Sequence, residues 1–270
     1  MCIRDRSDSE ISRALKDDGT VVAAQPSYPF LLAAKAQEKA LLVVTSSSRG
    51  AEDLAEDLRN LHSLVYEFPA WETLPHERLS PRSDTVAQRL STLYALKNIS
   101  AEERPIVVAP IRAVIHRFIT SLAQSPLWTV ELGQEVSLTE LISHLTSLSF
   151  TRTDLVEKRG EFAVRGGIVD VFLPLALHPV RIDFFGDEIE ELQFFDVADQ
   201  RTMKAVEGKL AILPCRELLL NDEIMARAEA LKVQYPSALE ILGKIAEGMS
   251  VDGMESLIPL LIDETETILH

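Results

Sequence analysis

Cysteine is almost missing from this chain of 270 residues, which has only Cys2 and Cys215. Two thiols so far apart build no disulfide framework, and the composition points to a reducing compartment. Long apolar runs are also missing. A membrane-crossing helix needs about 18 consecutive apolar residues, and neither such a run nor an apolar signal core at the N-terminus occurs. The expected location is the cytoplasm, with no membrane partner. Positive charge is scarce too: 27 Lys and Arg stand against 42 Asp and Glu, a net charge of -15, and no run of Lys and Arg exceeds two residues. A stand-alone DNA binder conflicts with that balance, because sequence-independent binding to phosphates needs a basic surface. With 46% apolar and 26% charged residues, and no internal repeat or low-complexity tract, the chain reads as globular, with one to three domains.

The chain lacks a phosphate-binding loop where its element order would put one. A short helix is expected at Ser9–Lys16 and a buried strand at Thr20–Ala24, followed by QPSYPF and the helical LLAAKAQEKA. A strand, loop and helix in this order would suit a nucleotide, but the loop has no glycine for close backbone approach. No lysine lies between Ala23 and Ala34, and two prolines remove N–H donors. The reading is a structural connection.

Strands are then expected at Leu41–Thr45, Ser63–Phe68 and Ile106–Pro110. Between them come an amphipathic helix over Arg49–His62, striped by Leu54, Leu58 and Leu61, and a helix after Ser83 striped by Val86, Leu90, Leu93 and Tyr94. A further helix is expected over Arg112–Leu122. This alternation implies right-handed crossovers and a parallel sheet. Trp71, His76 and Glu77 stand out in the loop PAWETLPHERLSPRSD, but a histidine beside a glutamate without a partner motif reads as surface.

Composition shifts at Ala123–Pro126. Beyond it come a strand at Thr129–Leu132, a capping box from Ser137 to Glu140 opening a helix to Leu148, and antiparallel strands to about Lys204. From Lys209 the chain turns helical. Asn221 caps a helix with Ile224, Ala228 and Leu231 on one face, and Pro236 starts another carrying Leu239, Leu242 and Ile245. The expected fold class is α/β: a parallel-sheet domain at 1–126, an inserted small α+β domain at 127–206, and a helical return at 207–270.

The most readable stretch is Glu157–Asp196. In PVRIDFFG, alternation puts Val180, Ile182 and Phe184 on a core face and Arg181, Asp183 and Phe185 on the other. The turn signal at Gly166-Gly167 sets Arg165 at a hairpin corner, so two arginines and a phenylalanine are expected to converge on one surface. Arginine beside an exposed aromatic is the pairing that dominates protein-protein hot spots. The competing reading spends Arg165 and Arg181 on internal acids such as Asp170 or Asp183, as cross-strand pairs. Asp183, Asp187, Glu188, Glu190 and Glu191 lack metal-site spacing and read as a solvated sheet edge.

The segments PAWETLPHERLSP, EKRGEFAVRGGIVDVF, PVRIDFFGDEIEELQFFDVADQRT and GMESLIPLL resemble the N-terminal region of bacterial transcription-repair coupling factors, from about Ser9 onward. That region is itself similar to the repair helicase UvrB: a helicase-like α/β domain interrupted by a smaller α+β domain. The resemblance implies that the inserted domain recruits UvrA, with the family's contact positions falling on Arg165, Arg181 and Phe185. It implies a degenerate helicase-like domain that has lost its ATP loop, and no room between Val114 and Val136 for the aromatic hairpin with which the helicase grips DNA. ATP, magnesium, duplex DNA and RNA polymerase would be handled by a translocase motor outside this chain, and the recruiting face could be masked by the rest of the parent protein. A fragment is expected, since MCIRDRS fits no helix or strand pattern and helix-like sequence runs up to His270. The alternative reading is an enzyme, a nucleotide-dependent helicase core with an atypical phosphate loop.

Overall fold

Apolar periodicity near 3.6 gives way repeatedly to short β-branched runs in the first part of the chain, and the elements follow that rhythm. The computed structural model describes residues 22, 24–74, 77–124 and 126–269. The helix expected at 9–16, the strand expected at 20–24 apart from residues 22 and 24, and His76 lie outside the described residues. In order come α1 (Tyr28–Ala36), β1 (Leu41–Thr45), α2 (Ser48–Arg59), β2 (Val65–Glu67), α3 (Ser83–Asn98) and β3 (Ile106–Pro110). The side chain of Ser47 accepts the Gly50 N–H at 3.1 Å and so caps α2, whose Ala51, Ala55 and Leu58 are buried. Leu61 falls beyond the helix end and is exposed, so the expected stripe stops one turn early. The three strands form a parallel sheet in the order β1-β3-β2, with every residue of the central β3 buried.

The helix expected over Arg112–Leu122 is broken. It appears as α4 (Ile111–Ile115), the strand β4 (Phe118–Ile119) and α5 (Thr120–Gln124). Phe118 and Ile119 are buried, and their backbone pairs antiparallel with a strand near the end of the described chain, Thr265–Glu266. That long-range partner overrides the local helical pattern.

Two compact units result, one of residues up to 70 with 95–115, the other of 71–94 with 116 onward. Beside the expected bounds of 1–126, 127–206 and 207–270, residues 71–94 and 116–126 share a unit with 127–206 and 207 onward. In the second unit, β5 (Trp128–Val130) precedes α6 (Leu138–Ser147). The side chain of Ser137 caps α6 by accepting the Glu140 N–H at 3.1 Å. Then come β6 (Thr151–Arg152), β7 (Glu161–Arg165), β8 (Ile168–Val171), β9 (Val180–Phe185), β10 (Glu188–Phe195), β11 (Thr202–Ala205) and β12 (Leu210–Ile212). Six of these make one sheet, ordered β11-β10-β9-β8-β7-β6, and β12 pairs with β5.

Leu141 and Leu145 of α6 pack with Val169, Val180, Ile182 and Leu192 on one face of the sheet, while Val156, Ala163, Phe172 and Phe195 form a smaller cluster elsewhere. A separate helical core holds α7 (Asp222–Leu231), α8 (Leu239–Ala246) and α9 (Ile258–Leu261), before β13 (Thr265–Glu266). Asn221 caps α7 as expected, but Leu239 is exposed, since α8 follows a 3-10 turn at Pro236–Ala238 that leaves only Leu242 and Ile245 of the stripe buried. Among the described residues no helix is long and apolar enough to cross a membrane.

Candidate recognition surface

Antiparallel register fixes which side chains of β7 to β10 share a face. Ala163 lies opposite Asp170, Asp170 opposite Arg181, and Arg181 opposite Gln193. One row along, Arg165, Ile168, Asp183 and Glu191 align in the same way. Phe185 stands one residue pair further on β9, opposite Glu188 across the Gly186-Asp187 turn. Gly186 has φ 65°, which glycine adopts without steric cost. Arg165, Arg181 and Phe185 therefore do occupy one face of the sheet. Side chains on one face of a strand recur every two residues, so Arg181 and Phe185 sit about 13 Å apart along β9.

Their environments differ. Asp170 is only 3% exposed, and its two oxygens accept Arg181 Nε at 2.7 Å and Nη2 at 2.9 Å, a bidentate pair. Arg181 Nη1 donates to the Gln200 carbonyl at 3.3 Å, and the guanidinium lies over the Phe195 ring at 4.7 Å. The hydrogen bond to Asp170 leads in raising the Arg181 pKa further, and Asp183 adds to it. The pairing with Asp170 that the competing reading expects is present at Arg181, whose side chain keeps 22% exposure. Arg165 is exposed and donates once, from Nη2 to the Asp154 carbonyl at 2.8 Å. Phe185 is 76% exposed.

The acidic residues need a correction. Strands β9 and β10 are interior to the sheet, and the edges are β11 and β6. Asp183, Glu188, Glu190 and Glu191 therefore shield no edge. Glu191 shares the row of Arg165 and Asp183, and Asp187 sits in the turn beside Phe185, so they give the aromatic an acidic surround.

At the connection before α1, Gln25–Ser27 form a 3-10 turn and Pro29 occupies the first helical turn, where N–H groups would otherwise face a phosphate. The nearest lysine, Lys35, pairs with Glu38 at 2.8 Å.

Residues 129–218 match the family model described as the UvrB interaction domain. Over 267 residues, 94% of this chain, it is 41% identical to the transcription-repair-coupling factor of Mycobacterium bovis, covering 22% of that protein. It is 35% identical to that of Myxococcus xanthus over 81% of the chain and 31% identical to that of Escherichia coli K12 over 78%, in each case covering 19% of the relative. Residues 129–218 belong to the UvrB-interaction-domain family, and the chain is homologous to one segment of the transcription-repair-coupling factors. It spans about a fifth of the length of these relatives.

Within this coupling-factor segment, the motifs that sequence reading left without a role prove to be structural. Trp71 of PAWETLPHERLSP donates Nε1 to Glu217 at 2.9 Å and meets the His116 ring at a tilt of 59°, with the centroids 4.0 Å apart. Glu217 also receives Arg89 Nε at 2.6 Å, and both members of that ion pair are 1% exposed. Ser80, from the same motif, receives the Gly253 N–H at 3.0 Å and donates to the buried Glu255, which also binds Arg216 Nη1 at 3.0 Å. The motif GMESLIPLL supplies both Gly253 and Glu255. Periodicity could not find the Trp71–Glu217, Arg89–Glu217 and Ser80–Gly253 links, which join residues more than a hundred positions apart.

Gly253 has φ 79°, and a Cβ placed there would lie 2.7 Å from the Arg78 backbone. Gly253→Ala is expected to destabilise the segment by about 2 kcal/mol or more, from left-handed strain plus backbone displacement. A urea midpoint equal to the parent's would show that this approach is not tight in solution.

Proposed function

We propose that this segment is a non-catalytic adaptor, the part of a transcription-repair-coupling factor that recruits UvrA to damage-stalled RNA polymerase for nucleotide excision repair. Phe185 carries the reading. It is a large aromatic left exposed at a hairpin end, inside the region matching the UvrB interaction domain. Arg165, exposed one row away, is the second contact. Arg181 acts as a positioning residue that fixes the strand presenting Phe185.

The same proposal assigns no nucleotide or metal to this segment. ATP, magnesium, duplex DNA and RNA polymerase belong to an ATP-driven translocase elsewhere in the intact cytoplasmic protein. The rest of that protein contacts and masks the recruiting face until the motor engages. Titrating UvrA against this segment, and against the intact protein without polymerase or DNA, tests both steps. Saturable binding that is weaker to the intact protein is expected. No binding to the segment overturns the adaptor, and equal binding overturns the masking. An ATP titration of the segment is expected to show no saturation; saturable ATP binding would instead favour a helicase core.

A further inference from the structure

A second surface lies at the end of the sheet. Strand β11 is terminal in the strand order, and its four residues, Thr202–Ala205, are all exposed. Val206 donates its N–H to the Leu192 carbonyl at 2.9 Å. By antiparallel alternation, the preceding residue, Ala205, turns its own N–H and carbonyl away from β10. An edge of this kind is a template for a further strand.

Beside it opens an apolar groove of about 360 Å³, walled by Leu173, Leu175, Leu177, Phe194 and Leu213, with Lys204 at its rim. Leu177 is 83% exposed there. Phe194 pairs with Val180 in the register, which places the groove on the side of the sheet opposite Phe185. The formal charges of β11 and its approach at Arg201 are basic, in a chain of net charge -15. The Arg201 contact with Asp199, at 3.7 Å between exposed groups, takes up little of that charge. Lys204 lies 6.0 Å from the Phe194 ring, which sets its ammonium at the groove mouth.

We propose that β11 and this groove take an extended acidic segment of a partner protein, added as a seventh strand, with one of its apolar side chains seated against Leu177 and Phe194. Charge selects the occupant. A second copy pairing antiparallel about Lys204 would set that ammonium against its own counterpart, which is unfavourable directly across a strand pair. The edge lysine thus discourages pairing of like with like. An acidic strand meets no such obstacle at Lys204, and its main chain gains the outward groups of Ala205.

The probe is a fluorescein-labelled synthetic peptide alternating valine or leucine with glutamate, titrated by anisotropy while backbone amide shifts are followed. Saturable binding is expected, with shifts at residues 202–205 and 175–178. Ala205→Pro, which deletes an outward N–H and spares the β10 ladder, should weaken binding at least about tenfold, about 1.4 kcal/mol. Lys204→Glu should do the same without altering the backbone, so misfolding of the proline variant would leave the test intact. Phe185→Ala should bind like the parent, which separates this surface from the UvrA-facing one. Absence of saturation, shifts elsewhere, full binding by Lys204→Glu, or equal binding of a peptide with lysine in place of glutamate would overturn the proposal.

Discussion

Replacing Arg181 with alanine is expected to lower the unfolding free energy of this segment by about 3 kcal/mol, the scale set by removing one partner of a buried ion pair. The cost falls on Asp170. Its carboxylate is almost wholly buried and receives both Nε and Nη2 of the arginine. Without the guanidinium, a charge is left in the sheet with neither water nor counter-ion. The variant also uncovers the Phe195 ring and releases the Gln200 carbonyl, which loosens the β10–β11 turn. Urea unfolding followed by circular dichroism measures this directly. Arg181→Lys should fall between parent and alanine, because an ammonium keeps the charge and loses the two-pronged geometry. The double change Asp170→Val with Arg181→Met should recover much of the loss, since no buried charge is then left unpaired. If Arg181→Ala were as stable as the parent and still lost UvrA, Arg181 would be a contact residue and its pairing with Asp170 incidental.

Alternation in PVRIDFFG was enough to put Val180 and Ile182 in the core and Arg181, Asp183 and Phe185 on the opposite face, because period 2 is a property of the strand alone. Whether Arg181 was free depended on a residue eleven positions earlier, and only the register that sets Asp170 against it decides that. The acidic residues were misplaced for a related reason. A strand does not announce its place in a sheet, and β9 and β10 became interior once β11 and β6 took the ends.

Local signals were legible where local chemistry governs them, as at the Ser47, Ser137 and Asn221 caps. They failed at Arg112–Leu122, where a partner near residue 265 turned part of a helical pattern into strand. Gly253 and Trp71 belong to the same class. Each sits in a motif that could be quoted from the sequence, and each owes its role to a contact with distant chain.

Phe185→Ala should do the reverse of Arg181→Ala, leaving stability alone and removing function. A side chain 76% exposed contributes little to folding, so its truncation should change stability by no more than about 0.5 kcal/mol. An aromatic anchor buried by a partner is worth at least ~2 kcal/mol at the interface, so the titration should show roughly thirtyfold weaker UvrA binding by a segment that unfolds at the parent's urea midpoint. Arg165→Ala should lose less, because its guanidinium makes a single backbone contact in the free segment and its charge lies at the rim of the same face. The two alanine variants then divide the surface. On the adaptor proposal, Arg181 supports the strand and fails through unfolding, and Phe185 meets the partner and fails through contact. If Phe185→Ala binds like the parent while remaining folded, the hairpin end is not the recruiting surface, and the contact must be sought away from the Phe185 face.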